Sequence, residues 1–182
     1  FSQINTLNLK NKNLKAIIFD LGYSTNQILD PEKGLSFNTK GKLNMKMGLN
    51  GYSAHEVIHK LNNEDFKKIF RYYGEERKSK LISKKICEIR KNKTINTEDL
   101  VRIVNSIKYK NISKINSSTK IFQSLRIFVN KEISELVYGL INAFKILPIG
   151  GMIVVVSFQS IEDRIVKYFF KYYSENKNPS RY

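Results

Sequence analysis

Two short apolar runs constrain this chain more than any other feature. Leu14-Lys15-Ala16-Ile17-Ile18-Phe19-Asp20 is apolar without alternation and ends in an acid, and Met152-Ile153-Val154-Val155-Val156-Ser157-Phe158 repeats that character far downstream. Such runs suit strands of a parallel sheet covered on both faces. Between them the pattern is helical. Ser53 and Glu56 have capping-box spacing, and helical periodicity follows at 54–61, 63–73, 75–91 and 97–107. Phe122, Leu125, Val129, Leu136, Leu140 and Phe144 then recur near a period of 3.6, which predicts one long helix over 119–146. Gly150-Gly151 is placed to end that helix through a left-handed cap. Ser160 and Asp163 are placed to cap a last helix carrying Ile165, Val166, Phe169 and Tyr172.

The resulting order is strand, helical insertion, helix, strand, helix. It describes part of an α/β doubly wound sheet with an inserted helical subdomain. Residues 1–50 and 113–182 are expected to belong to the discontinuous α/β domain, and 51–112 to the insertion. Two strands do not make an independent sheet of this type. Further strands are therefore expected before Phe1 and after Tyr182, and the stretch alone is expected to fold poorly.

Charge points to a class of partner. The 182 residues include 32 Lys+Arg against 16 Asp+Glu, a net charge of +16. An excess of that size favours a polyanion such as nucleic acid; the competing explanation is a compositional drift, since Lys, Asn and Ile are abundant throughout. Cys87 is the single cysteine, so no disulfide forms within the chain, consistent with a reducing compartment and a cytoplasmic location. A buried, unreactive thiol is its expected state. No apolar run approaches the ~18 residues of a membrane span, and no secretory signal is recognisable.

Ligands of open α/β sheets sit beyond the carboxyl ends of the strands. Asp20 ends the first strand and Ser157-Phe158-Gln159-Ser160 follows the second, so both loops are expected to face one crevice. A separate pattern competes for attention. His55-Glu56-Val57-Ile58-His59 matches the H-E-x-x-H zinc signature, with Glu75 or Glu76 as a conceivable third ligand. Glu56 is equally explained as the capping partner of Ser53, and the ordinary-helix reading is preferred, with no metal expected.

Several blocks, in order along the chain, resemble the bacterial ribosomal RNA small-subunit methyltransferase H family. They are Phe19-Asp20-Leu21-Gly22-Tyr23-Ser24-Thr25-Asn26-Gln27, Asp30-Pro31-Glu32-Lys33-Gly34-Leu35-Ser36-Phe37 and Gly41-Lys42-Leu43-Asn44-Met45-Lys46-Met47. Tyr73-Gly74-Glu75-Glu76-Arg77, Thr119 through Asn130, and Ser157 through Lys167 continue the match. The resemblance implies a partial class I (Rossmann-like) methyltransferase sheet. It implies S-adenosylmethionine as cofactor, and N4-methylation of a cytosine in 16S ribosomal RNA, with the small ribosomal subunit RNA as partner and a homodimer left open. It further implies that Asp20 and Gln27 contact the cofactor, with Phe1 beside the adenine. The family's glycine-rich loop and ribose-binding acid are expected upstream of Phe1.

The chain departs from the family pattern at Tyr23, where Val is usual, at Asn44, where Asp is usual, and at Gln159, where His is usual. Asn116-Ser117-Ser118-Thr119-Lys120 stands where the family has His-Pro-Ala-Thr-Arg. Methylation of a cytosine amine requires the amine to be held in line with a methyl donor and water to be excluded. It also requires the base to be unstacked from its RNA. Asp20, Ser157 and Gln159 are candidate acceptors for the amine, and Tyr23 or Phe158 are candidates to stack on the base. The Asp-Leu-Gly-Tyr loop differs from the Asp/Asn-Pro-Pro-aromatic run of many amino-methyltransferases, and no single catalytic residue is assigned. Arg126, Lys131, Arg164 and Lys167 are candidate phosphate contacts, and Gln123 lies in a matched block beside Arg126. Two alternatives remain: a truncated, inactive RNA-binding relative, and, remotely, a zinc hydrolase.

Overall fold

The computed structural model describes residues 1–7, 13–36, 42–48, 51–108 and 117–174. The chain divides into two compact units, Phe1–Gly22 with Ile133–Tyr182, and Tyr23–Glu132. The helical unit thus takes in the flanks of the 51–112 stretch as well as the stretch itself.

The first unit is built on a parallel pair of strands. β1 (Ala16–Asp20) runs beside β2 (Met152–Val156), in register from Ala16 opposite Met152 to Asp20 opposite Val156. One face is covered: Ile17, Phe19 and Leu21 pack with Leu136, Leu140 and Ala143 of α7 (Glu132–Ile146) and Val166 of α8 (Ser160–Ser174). The other face is bare, with Ile18 69% and Met152 59% exposed. The expectation of cover on both faces therefore fails within this chain, because its described helices supply apolar surface to one side alone. A close approach fixes α7. A Cβ at Gly139 would lie 2.7 Å from Phe1 Cβ and 3.1 Å from Phe19 Cε1, so only glycine admits the N-terminal segment there. That segment is tied down by the Ser2 N–H and hydroxyl, which donate to the Glu135 carboxylate at 3.0 and 2.9 Å. Asn142 Nδ2 donates to the Ser2 carbonyl at 2.7 Å.

The second unit contains α1 (Thr25–Leu29), α2 (Ala54–Lys60), α3 (Asn63–Tyr72), α4 (Ser79–Ile89), α5 (Thr97–Ile107) and α6 (Thr119–Val129). The expected capping box at Ser53 forms, and further side-chain caps start other helices. Ser53 and Asn96 close capping boxes with Glu56 and Asp99, and Asn62 accepts from the Asp65 N–H. The amphipathic faces converge on one core that includes Leu43, Phe66, Phe70, Ile82, Ile86, Leu100, Ile121 and Leu125. Burying each such side chain contributes ~1.5–3 kcal/mol. Arg90 ties α4 to the end of α2 by donating to the carbonyls of Ile58 at 2.6 Å and Leu61 at 2.5 Å.

The expected long helix over 119–146 is two helices. The break falls at Asn130 and Lys131, where Lys131 has φ +53°. Asn130 leaves the helix to hold the 42–48 segment: its Oδ1 accepts from Met47 N at 2.7 Å and its Nδ2 donates to Met45 O at 2.7 Å. Those bonds satisfy backbone groups at a buried loop, which outweighs uninterrupted helix pairing. Apolar periodicity continues across the break and conceals it. The expected cap at Gly150-Gly151 is also corrected. α7 ends at Ile146, and Gly150, at φ +84°, serves a turn closed by Gly151 N–H to Pro148 O at 2.9 Å. No helix among the described residues is long and apolar enough to cross a membrane.

Gly74 sits where α3 meets α6. A Cβ there would lie 2.6 Å from Lys120 O and 2.9 Å from Phe70 O, both rigid backbone atoms. Gly74→Ala is expected to lower unfolding stability by about 1–3 kcal/mol, read from urea denaturation. An unchanged midpoint would contradict the close approach.

Candidate functional site

In the sheet-bearing unit, the parallel register brings four of the sequence-derived candidates to one end. Asp20 is the last residue of β1, opposite Val156, and Ser157, Phe158 and Gln159 follow β2 directly. Pairing extends one step further, with the Leu21 N–H donating to Val156 O at 3.0 Å. Gly22 then turns at φ +112°, a conformation that disfavours any side chain. A Cβ at that position would touch the Phe158 ring at 4.0 Å. Asp20 presents an exposed carboxylate, Phe158 is 80% exposed, and Ser157 and Gln159 are half-buried. The Gln159 carbonyl accepts from Asp163 N at 3.0 Å, which begins α8. Phe1 packs edge-on against Phe19, the neighbour of Asp20, with ring centroids 5.4 Å apart. Arg164 and Lys167 are exposed on α8, and Lys167 Nζ pairs with Asp163 Oδ2 at 2.7 Å.

Other candidates lie in the helical unit. Arg126, a candidate phosphate contact, is turned inward onto Glu132. Its Nε and a terminal nitrogen donate to the two Glu132 oxygens at 2.8 and 2.9 Å, and its side chain is only 6% exposed. A bidentate, desolvated pair of this kind consumes the guanidinium. The cation also lies 4.4 Å from the centroid of the Tyr23 ring, which it orients. Sequence reasoning missed Glu132. On one continuous helix, positions six apart do not face each other; the turn at Asn130 and Lys131 brings them together. Gln27 closes a capping box, its side-chain oxygen accepting from Ser24 N at 3.0 Å. Gln123 is half-buried on α6, and Lys131 is exposed at the break.

The helical unit also holds a cleft of about 1060 Å³, whose lining includes Glu32, Lys42, Lys46, His55, Asn96 and Glu98. The H-E-x-x-H residues lie on α2 near it. The His55 and His59 rings are 4.7 Å apart, but His59 Nε2 accepts from the buried Ile95 N–H at 3.5 Å. The Glu56 carboxylate takes the Ser53 N–H at 2.8 Å and its hydroxyl at 2.9 Å; the N–H bond, then the hydroxyl, holds its pKa below the ordinary value. Glu76 is bonded to Lys78 N at 2.8 Å and paired with Lys108. Among the described residues no group of three His, Cys, Asp or Glu converges on a metal position. The pattern is accounted for as helix capping and a histidine that satisfies a buried amide.

Comparison with known proteins places the whole chain in one group. The model of the MraW methylase family matches residues 1–182. The chain is 43% identical over 169 residues to "Ribosomal RNA small subunit methyltransferase H" of Bartonella bacilliformis, covering 92% of this chain and 51% of the relative. The proteins of that name from Rickettsia prowazekii and Caldicellulosiruptor saccharolyticus are 43% and 40% identical, covering 93% and 91% of this chain and 56% and 55% of theirs. The chain thus spans about half the length of these curated relatives.

Two outcomes follow from the geometry of the helical unit. Glu132→Gln leaves the Arg126 cation buried without its counter-charge and is expected to cost about 3 kcal/mol or more, measured by denaturant unfolding. A loss below a few tenths would mean the pair is solvated. Burial, then His55 and Arg90, hold the His59 pKa below its ordinary 6.5. The unfolded chain therefore takes up the proton first as pH falls below 6.5. Stability is full above that pH and declines towards the lowered folded value. The thermal midpoint is expected to drop as pH falls from 6.5, and His59→Gln, which retains an acceptor for Ile95, to flatten that slope.

Proposed function

Because the chain belongs to the MraW methylase family, we propose that it is part of an S-adenosylmethionine-dependent methyltransferase that modifies the N4 amine of a cytosine in 16S ribosomal RNA. The observation that carries this is its identity of 40–43% to ribosomal RNA small subunit methyltransferases H over 91–93% of its length. In this reading the sheet-bearing unit belongs to a Rossmann-like catalytic domain, and the helical unit is the substrate-recognition cap. The enzyme works on small-subunit RNA in the cytoplasm.

The residues at the sheet's carboxyl end suit the cofactor. An exposed carboxylate at Asp20 complements a ligand with an ammonium group, and the Phe1 ring beside Phe19 offers an apolar face to an adenine. Gln27, in the helical unit, has its side-chain oxygen on the Ser24 N–H, so a role toward a ligand falls to its amide nitrogen. The bound cofactor supplies a methyl group on a good leaving group. What remains for the chain is placement. In this reading Ser157 and Gln159 accept from the cytosine amine and Phe158, whose ring is exposed, stacks on the unstacked base. In the helical unit, the Arg126–Glu132 pair steadies the exposed Tyr23 ring, itself a candidate to stack on a base.

The test is transfer of a labelled methyl group to small ribosomal subunits lacking the modification, using the full-length protein. Digestion of the labelled RNA is expected to yield N4-methylcytidine; label at any other position overturns the reading. Phe158→Ala is expected to cut transfer roughly 5- to 100-fold, the range for one stacked base, with cofactor affinity unchanged. Asp20→Ala is expected to weaken cofactor binding itself. Tyr23→Ala should reduce RNA methylation more than cofactor binding, and equal losses in both would rule out its stacking role.

A further inference from the structure

The outward face of α8 combines cations and aromatic rings in a way that the methyl-transfer site does not use. Counting 100° per residue, Arg164, Lys167, Tyr168, Lys171 and Tyr172 fall within an arc of roughly 140°, and all five are exposed. The opposite side of the helix carries Ile165, Val166 and Phe169 into the core of the sheet-bearing unit. The outward face exposes 71% of Tyr168 and 46% of Tyr172 to water.

The two tyrosines are one turn apart, with ring centroids at 6.4 Å and planes inclined by only 25°. The rings stack on each other and together form an aromatic surface of the kind on which bases stack. Cations flank it on both sides in sequence, at Arg164 and Lys167 before and between, and at Lys171 beside Tyr172. Lys167 is paired with Asp163, but both side chains are exposed, at 75% and 46%. A surface pair of that kind contributes little and yields readily to a phosphate.

We propose that the outward face of α8 is a binding platform for single-stranded RNA, with bases stacked on the Tyr168–Tyr172 pair and the adjoining phosphates held by Arg164, Lys167 and Lys171. Aromatic platforms set in a positive surface are the general solution for unpaired strands, because every base has a π-face and every nucleotide a charge. The choice of RNA over another polyanion rests on the reading of the chain as part of a ribosomal RNA methyltransferase. The platform holds a flanking nucleotide and is separate from the pocket residues that receive the reacting cytosine.

The experiment uses the full-length protein and a fluorescent single-stranded oligoribonucleotide of about 12 nucleotides, read by anisotropy, with cofactor affinity and methyl transfer to small subunits measured in parallel. Tyr168→Ala and Tyr172→Ala are each expected to weaken RNA binding about 5- to 100-fold. Tyr168→Phe, which keeps the ring, should bind as the unsubstituted protein does. Cofactor affinity should stay constant in all three. Arg164→Ala and Lys171→Ala should each lower the slope of log affinity against log salt by about 0.7. If the alanine variants bind RNA undiminished while the unsubstituted protein methylates small subunits, the platform is refuted and the functional reading stands. If RNA binding depends on both rings but no methyl is transferred, the platform stands and the functional reading fails. If the alanine changes instead dissociate a dimer at unchanged RNA affinity, the face is a self-association surface and the proposal is wrong.

Discussion

The candidate residues of the sheet-bearing unit all depend on the parallel pairing of Ala16–Asp20 with Met152–Val156. Parallel strands need a crossover of a dozen residues or more. Here the connection carries an entire helical unit with its own core. The pairing sets Asp20 level with Val156, and from that register the two following loops emerge at the same end of the sheet. A slip of one residue would turn Ile17 and Phe19 to the bare face and carry Asp20 away from its partner loop. The buried side chains of α7 and α8 guard against that slip, because they match Ile17, Phe19 and Leu21 and leave Ile18 outside.

The helical unit follows a different logic. Its stability comes from apolar faces that meet in one core, and its shape comes from a few polar contacts at element ends. Asn130 illustrates this. By bonding Met45 O and Met47 N it anchors a loop, ends α6 and allows Glu132 to reach Arg126. The resulting ion pair then carries Tyr23 on its cationic face. A single amide side chain thereby links loop placement, helix termination and the orientation of an aromatic residue three positions beyond Asp20.

Much of this was legible in the sequence. The two strands, the helices over 54–107 and the cap at Ser53 follow from local chemistry: apolar periodicity and a side-chain oxygen placed to accept a free amide. The motif blocks around Asp20 and Ser157 pointed to the methyltransferase reading, and the family match over the whole chain agrees with it. The H-E-x-x-H pattern shows the limit of a motif without its surroundings. Its spacing is right for zinc, yet Glu56 serves the helix cap and His59 serves the Ile95 amide.

The sequence by itself determined the elements, their polarity of burial and the chemistry available at the strand ends, because these depend on neighbours within one or two turns. Only the tertiary structure decided that 119–146 is broken, that Arg126 is spent on Glu132, and that one face of the sheet is bare. Each of those outcomes rests on a partner distant in sequence or brought near by a turn. The free energy of a satisfied buried amide or a paired buried charge exceeds a local helical preference of a few tenths of a kcal/mol per residue. A periodicity that records apolar positions carries no trace of either.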